Sequence, residues 1–124
     1  MAERRFENLE VWKTARALTG CVYSLTAREP FRRDFGLSDQ MRRSSVSVLS
    51  NIAEGHESRT DRLFLEFLGR AKGSCGELRA QAYISLDAQY VKAEEFDALY
   101  ELCDKCSRQI SRLMVYISRG QPKQ

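Results

Sequence analysis

One segment, residues 36–55 (GLSDQMRRSSVSVLSNIAEG), restricts the possible folds of this chain more strongly than any other. At about 100° per residue, its apolar side chains form two adjacent rows, Met41, Val48 and Ile52, then Val46, Leu49 and Ala53. A helix with so wide an apolar arc usually packs against more than one neighbour. The opposite arc is polar. The segment therefore predicts a central helix of an all-α core whose outer side can make specific polar contacts.

Three other segments repeat apolar residues at the same helical spacing. Together the four predict helices over about residues 8–27, 38–55, 61–88 and 93–118. Asn8 is the expected N-cap of the first helix, and the second is expected to begin at Ser38 and end at Gly55. No segment alternates with a period of two residues, so no strand is predicted. Short connections between four amphipathic helices favour one domain, residues 1–124, with the fold of an antiparallel up-down four-helix bundle.

Composition excludes several classes of protein. The net charge of +3 is far from that of a histone-like protein, so any nucleic-acid site must come from the local arrangement of charge. The sequence contains no run of about 20 apolar residues, which is the length that a membrane-spanning helix needs. The N-terminus lacks the hydrophobic run of a secretory signal, so the four cysteines are expected to be reduced thiols of a cytoplasmic protein.

A strip of small residues lies on the third predicted helix, on the side away from its bulky apolar residues. Each interior glycine costs up to about 1 kcal/mol relative to alanine, so the strip predicts the close approach of another helix. That helix could belong to the same bundle or to a second subunit, and the separate bulky face favours the second subunit. The strip consists of Gly69, Gly73, Gly76 and Ala80.

Polar residues of the second helix are candidates for the same interface. Arg43, Asn51 and Glu54 share an arc with Ser47, and we expect a network of hydrogen bonds and ion pairs within or between subunits. Arg42 instead falls within the apolar arc. We expect its guanidinium to pair with a carboxylate at a packing edge.

Basic side chains align on the outer face of the fourth predicted helix. Spacings of three, four and seven residues place Lys105, Arg108, Arg112 and Arg119 in a row that can follow a phosphate backbone without reading bases. Arg32 and Arg33, in the first connection, are further candidates. The alternative is a solvated face diluted by acidic neighbours.

The chain shows no convincing catalytic, cofactor or metal motif. Cys103-x-x-Cys106 has metal-like spacing, but both cysteines lie on an apolar arc and no second pair accompanies them. His56 and Glu54 lie near serines, yet no nucleophile elbow or phosphate loop is present. We expect a protein that is not an enzyme and needs no cofactor or metal.

Several of these motifs together resemble the four-helix-bundle proteins encoded in 23S rRNA intervening sequences. The centre of the likeness is Asn51–Gly55 with the preceding Arg42-Arg43, and it extends over about residues 6–118. Its residues are Phe6, Leu9, Val11, Trp12, Ala15, Gly36, Leu37, Gln40, Arg42, Arg43, Val46, Ser47, Asn51, Ile52, Ala53, Glu54, Gly55, Ala71, Gly73, Ser74, Glu77 and Leu78.

This resemblance implies a left-handed bundle that assembles as a ring-shaped homopentamer. It also implies similarity to the accessory protein of diversity-generating retroelements, a basic pentamer that binds nucleic acid and a reverse transcriptase. The expected function is a non-enzymatic oligomer that binds structured RNA or another nucleic acid, or a protein that processes it, through a repeated basic surface. The alternative is a protein-interaction scaffold with no role in nucleic-acid binding.

Overall fold

Four α-helices account for most of the chain. The computed structural model describes residues 5–120, and within that range it contains α1 (Glu10–Thr26), α2 (Phe35–Glu57), α3 (Asp61–Asp87) and α4 (Ala93–Ser118) and no strand. Two short 3-10 turns, Phe6–Asn8 and Phe31–Arg33, precede α1 and α2. None of the described helices is long and apolar enough to cross a membrane.

The helices pack as a bundle around one core. The principal contacts join α1 to α2, α2 to α3, α3 to α4, and α4 back to α1. Each connection is short, so consecutive helices run in opposite directions. The expected all-α four-helix bundle is therefore confirmed. Its fully buried large side chains come from every helix and include Leu18, Val22, Met41, Val48, Ile52, Leu68, Leu78, Leu99 and Ile110.

The first two helices begin at other residues than the sequence suggests. Asn8 is the last residue of a 3-10 turn, and Leu9 occupies the N-cap position of α1 without a side-chain hydrogen bond. In α2 the cap is Asp34, whose Oδ1 accepts from the Leu37 N–H at 3.1 Å. Ser38 lies inside the helix, and its hydroxyl donates to the Phe31 carbonyl at 3.0 Å. Asn8 is not the cap because it completes a 3-10 turn before α1 begins, and Ser38 is not the cap because Asp34, an equally good cap residue, precedes it.

Gly55 does not end α2, which continues to Glu57. A Cβ on Gly55 would lie 2.9 Å from both Phe64 Cδ1 and Phe67 Cβ and 3.3 Å from the Phe64 carbonyl oxygen. The glycine therefore allows the start of α3 to cross close to α2. The Thr60 hydroxyl then caps α3 by accepting from the Leu63 N–H at 3.1 Å.

The end of the bundle that holds the α1–α2 connection is closed by aromatic and charged contacts. Phe31 is fully buried and stacks on Tyr90, with ring centroids 4.8 Å apart. Tyr90 Oη donates to Asp34 Oδ2 at 3.0 Å. Arg28 hydrogen-bonds Glu95 at 2.6 and 2.9 Å, and with the Lys92 backbone N–H it holds the pKa of Glu95 at about 2. The carboxylate thus stays charged across physiological pH.

Candidate nucleic-acid interface

Charge is divided along α4. Its first half carries only acidic residues, and the second half, from Lys105 through Arg119 just past the helix end, carries only basic ones. The basic set is Lys105, Arg108, Arg112 and Arg119, and the acidic set is Glu94, Glu95, Asp97, Glu101 and Asp104. The positive charge is thus concentrated towards one end of the bundle, although the chain as a whole carries only +3.

The four basic side chains form a continuous exposed row, called here the basic row. At 100° per residue they fall within about 60° of one another, over a length of about 21 Å. All four are exposed. Arg108 lies 3.5 Å from Asp104, whereas Lys105, Arg112 and Arg119 have no ion-pair partner among residues 5–120. These three cations are therefore available to an external anion.

Arg32 and Arg33 are not part of the same surface. They lie beside Arg28, which is joined to Glu95 at the start of α4, so about 36 Å of helix separates that end from Arg119. Both form an ion pair with the same carboxylate, since Glu29 Oε2 lies 3.0 Å from Arg32 Nε and Glu29 Oε1 lies 2.8 Å from Arg33 Nε. The structure thus separates the sequence-predicted basic residues into two groups, of which only the basic row contains cations with no ion-pair partner among residues 5–120.

The strip of small residues faces solvent. Gly69, Gly73 and Ala80 are exposed and Gly76 is half-buried, and no atom lies within 4 Å of a Cβ placed on any of the three glycines. No helix of this bundle therefore makes the close approach that the strip predicts. Tyr83 and Ile84, each about half exposed, continue the same face of α3.

The polar residues of α2 form a smaller network than the sequence suggests. Asn51 Nδ2 donates to the Ser47 carbonyl at 2.8 Å and to its hydroxyl at 3.0 Å, and that hydroxyl lies 2.8 Å from Ser74 Oγ on α3. Arg43 pairs instead with Asp39 at 2.7 Å. Glu54 is exposed and has no ion pair within the described part of the chain. The network therefore joins α2 to α3 through neutral side chains.

Arg42 has a different partner from the expected carboxylate. Its Nε donates to Thr26 Oγ1 at 2.8 Å, and its guanidinium carbon lies 4.6 Å from the centre of the Tyr23 ring. The adjacent surface exposes apolar side chains that the helical pattern did not identify. Val46, expected in the packing arc, is exposed, and Phe35 is 80% exposed beside an open hollow of about 760 Å³.

Cys103 and Cys106 are buried, as expected from their position on an apolar arc. Cys75 is buried as well, and burial raises the pKa of Cys103 to about 12, so that thiol is protonated. In residues 5–120 no group of three or more potential ligands could hold a metal ion. His56 packs edge-on against Phe64 with centroids 5.9 Å apart. The nearby Ser58 hydroxyl donates to the Gly55 carbonyl at 2.6 Å and is therefore already engaged.

Tyr116 is a candidate site residue that the sequence reasoning missed. It follows Arg112 by four residues and precedes Arg119 by three, so it lies on the same face as the basic row. The side chain is 52% exposed. This helical spacing was a usable signal, because an aromatic residue among regularly spaced cations is typical of nucleic-acid-binding surfaces.

Comparisons with known proteins agree with this architecture. A sequence model described as 23S rRNA-intervening sequence protein matches residues 7–112. Comparison with curated proteins gives no match. A crystal structure at 1.70 Å of a protein with unknown function, from the S23 ribosomal protein family of Bacteroides thetaiotaomicron VPI-5482, aligns with a TM-score of 0.77. The aligned region covers 84% of this chain and 97% of that one at 17% identity, which shows the fold alone. Because the matched residues span most of its length, the chain belongs to the 23S rRNA-intervening sequence protein family.

Proposed function

We propose that this protein is a non-enzymatic homo-oligomer that binds RNA through the basic row of α4. The observation that carries the proposal is the row of exposed cations with no acidic residue among them, of which Lys105, Arg112 and Arg119 have no ion-pair partner within the described part of the chain. Lys and Arg side chains at this spacing neutralise phosphates without distinguishing bases. Repetition of the row in several subunits would strengthen its electrostatic field.

The glycine strip supports self-association. It exposes the backbone of α3, so a helix from a second copy could approach more closely than ordinary side chains permit. Tyr83 and Ile84 add apolar surface beside it. Glycine in the middle of an exposed helix lowers its stability, and contact with a second copy would offset that cost. A ring of five copies is the assembly that the resemblance to the family implies.

We expect Gly73→Leu to break the oligomer without unfolding the chain. Within one copy the leucine side chain enters open space, and its helix propensity exceeds that of glycine by about 0.8 kcal/mol. At the interface it would hold the second helix away. Multi-angle light scattering should change from a mass near five times 14.3 kDa to that of one copy, while circular dichroism keeps its helical signal.

The matched control is Gly20→Leu on α1. Gly20 is also exposed, with no atom within 4 Å of its Cβ, but it lies outside the strip. The oligomer should persist in this variant. A single-copy mass for the unmodified protein at micromolar concentration would refute self-association, and an unchanged mass for Gly73→Leu would remove the strip from the interface.

Charge reversal tests RNA binding directly. We expect Arg112→Glu with Arg119→Glu to weaken binding of a structured RNA about tenfold at 0.1 M salt, because two phosphate contacts become repulsive. The slope of log affinity against log salt should become shallower by about two. Fluorescence anisotropy at several salt concentrations measures both quantities.

Arg32→Glu with Arg33→Glu is the control, since it changes the net charge equally at the other end of the bundle. This control should bind RNA nearly as well as the unmodified protein. If both double variants lose the same affinity, binding depends on overall charge and the basic row is not the site. If neither loses any, these arginines have no part in binding.

A protein-interaction scaffold is the second candidate, and exposure of Phe35 favours it. Phenylalanine and arginine are enriched at the centres of protein interfaces, and Phe35 lines a hollow together with Arg32 and Arg42. Under this alternative, binding of a defined protein partner would persist after nuclease treatment and would be lost in the Phe35→Ala variant. The double variant Arg112→Glu, Arg119→Glu would still bind that partner.

A further inference from the structure

We propose that Tyr116 is a stacking platform for an unpaired base, so that the basic row holds single-stranded rather than duplex RNA. This inference rests on the proposed function and adds the class of nucleic acid that the site prefers. Two features distinguish Tyr116 from the other aromatic residues: the contacts of its ring, and the charge of the side chains near it.

Tyr116 is the one tyrosine for which residues 5–120 provide no ring or cation contact. Of the five tyrosines, four have a ring or cation contact: Tyr23 with Arg42, Tyr83 with Phe96, Tyr90 with Phe31, and Tyr100 with Phe96 and Arg79. No ring, guanidinium or hydrogen-bond partner of Tyr116 occurs among residues 5–120. Because about half of the side chain is exposed, the open part of the ring is available to a group from outside the bundle.

The position of Tyr116 relative to the cations favours a phosphate chain as that outside group. On the helix it lies about 40° from Arg112 and about 20° from Lys105, near the edge of the basic row. Arg112 precedes it by one turn and Arg119 follows it by nearly one turn. A strand whose phosphates contact these arginines would place a base beside the ring.

Stacking on Tyr116 requires a base with a free face. Bases inside a duplex are stacked on one another, whereas those in single strands, loops and bulges can be turned out onto an aromatic side chain. Such stacking tolerates any base, because every base has a π face. The basic row alone would bind duplex and single strand through phosphates, and the tyrosine adds selectivity for the single strand.

Phe35, the most exposed aromatic side chain, is less suited to this role. Its surroundings include Asp34 and Asp39, and the neighbouring Arg32 and Arg33 are both paired with Glu29. Acidic residues therefore alternate with the cations near Phe35, whereas no acidic residue follows Lys105 on the helix that carries Tyr116. This difference makes Phe35 a useful control, since it is an exposed ring at the opposite end of the bundle.

The experiment compares two probes against the full-length protein: a fluorescent 12-nucleotide oligouridine and a 12-base-pair RNA duplex at 0.1 M salt. We expect Tyr116→Ala to raise the Kd for oligouridine about five- to tenfold, which corresponds to the lower part of the range for one stacked base. The Kd for the duplex should change less than twofold. Tyr116→Phe keeps the ring and should bind both probes like the unmodified protein, and so should Phe35→Ala.

Outcomes separate this inference from the proposed function. If the unmodified protein binds RNA but Tyr116→Ala weakens both probes equally or neither of them, the basic row stands and the stacking role is overturned. If Tyr116→Phe loses as much affinity as Tyr116→Ala, the hydroxyl and not the ring makes the contact, which also overturns it. If the unmodified protein binds neither probe, the proposed function itself fails. Circular dichroism of each variant confirms an intact bundle.

Discussion

Replacing Phe31 by alanine should lower the free energy of unfolding by about 3–5 kcal/mol, the usual cost of deleting a fully buried phenylalanine. Phe31 is 0% exposed although it belongs to the connection between α1 and α2. Its ring stacks on Tyr90, which also bonds the Asp34 carboxylate that caps α2. The substitution therefore leaves a cavity and loosens the contacts that close this end of the bundle.

Phe35→Ala provides the comparison, four residues further along the chain. Its side chain is 80% exposed, so the same chemical change should alter stability by no more than about 0.5 kcal/mol. Urea denaturation followed by circular dichroism measures both variants. A cost below about 1 kcal/mol for Phe31→Ala would show that the buried ring of Phe31 does not hold this end of the bundle together.

Gly55→Ala should destabilise the protein by about 1–2 kcal/mol, although alanine is the better helix former. The gain in helix propensity is up to about 1 kcal/mol, while overpacking a well-packed site costs about 1–3 kcal/mol. The added methyl group would lie 2.9 Å from Phe67 Cβ and 3.3 Å from the Phe64 carbonyl oxygen. Neither atom is the end of a flexible side chain, so α2 and α3 must move apart. Gly55→Val should cost more.

Gly20→Ala, in contrast to Gly55→Ala, is expected to raise the free energy of unfolding. Gly20 lies within α1 with nothing near its Cβ, so alanine should stabilise the protein by up to about 1 kcal/mol. The same urea titration distinguishes the two glycines. Equal stabilisation by both substitutions would mean that the crossing of α2 and α3 is looser than the distances indicate.

The helical architecture was predictable because it depends on periodicity, which the sequence displays directly. Each helix has its own row of apolar residues at helical spacing. One member of each row is Leu18, Ile52, Leu78 or Ile110, and all four are buried. Local signals were ambiguous where one residue could serve two purposes. Gly55 could mark either a helix end or a close crossing, and only the position of Phe64 distinguishes them. Phe31 lies among charged residues and a proline, so no pattern revealed its burial.

The candidate site was predictable in part for the same reason. Spacing on α4 suffices to align Lys105, Arg108, Arg112 and Arg119. The pairing of Glu29 with Arg32 and Arg33 follows intervals of three and four residues that were also readable from the sequence. By contrast, the free ring of Tyr116 depends on which other rings find partners after folding. A linear pattern cannot provide that information, because it concerns contacts between helices.

The division of charge along α4 has a consequence for any cyclic assembly of this chain. Rotation about a single axis cancels the components of the subunit dipoles that lie across the axis, but those along it add. The acidic start and basic end of α4 lie opposite in sign to the ends of its backbone dipole, so they stabilise the helix, and their full charges exceed the partial charges of the backbone. With α4 along the axis, a ring of such subunits would repeat the basic row at one rim and the acidic half of α4 at the other. It would meet a polyanion with a preferred orientation, the rim of basic rows first.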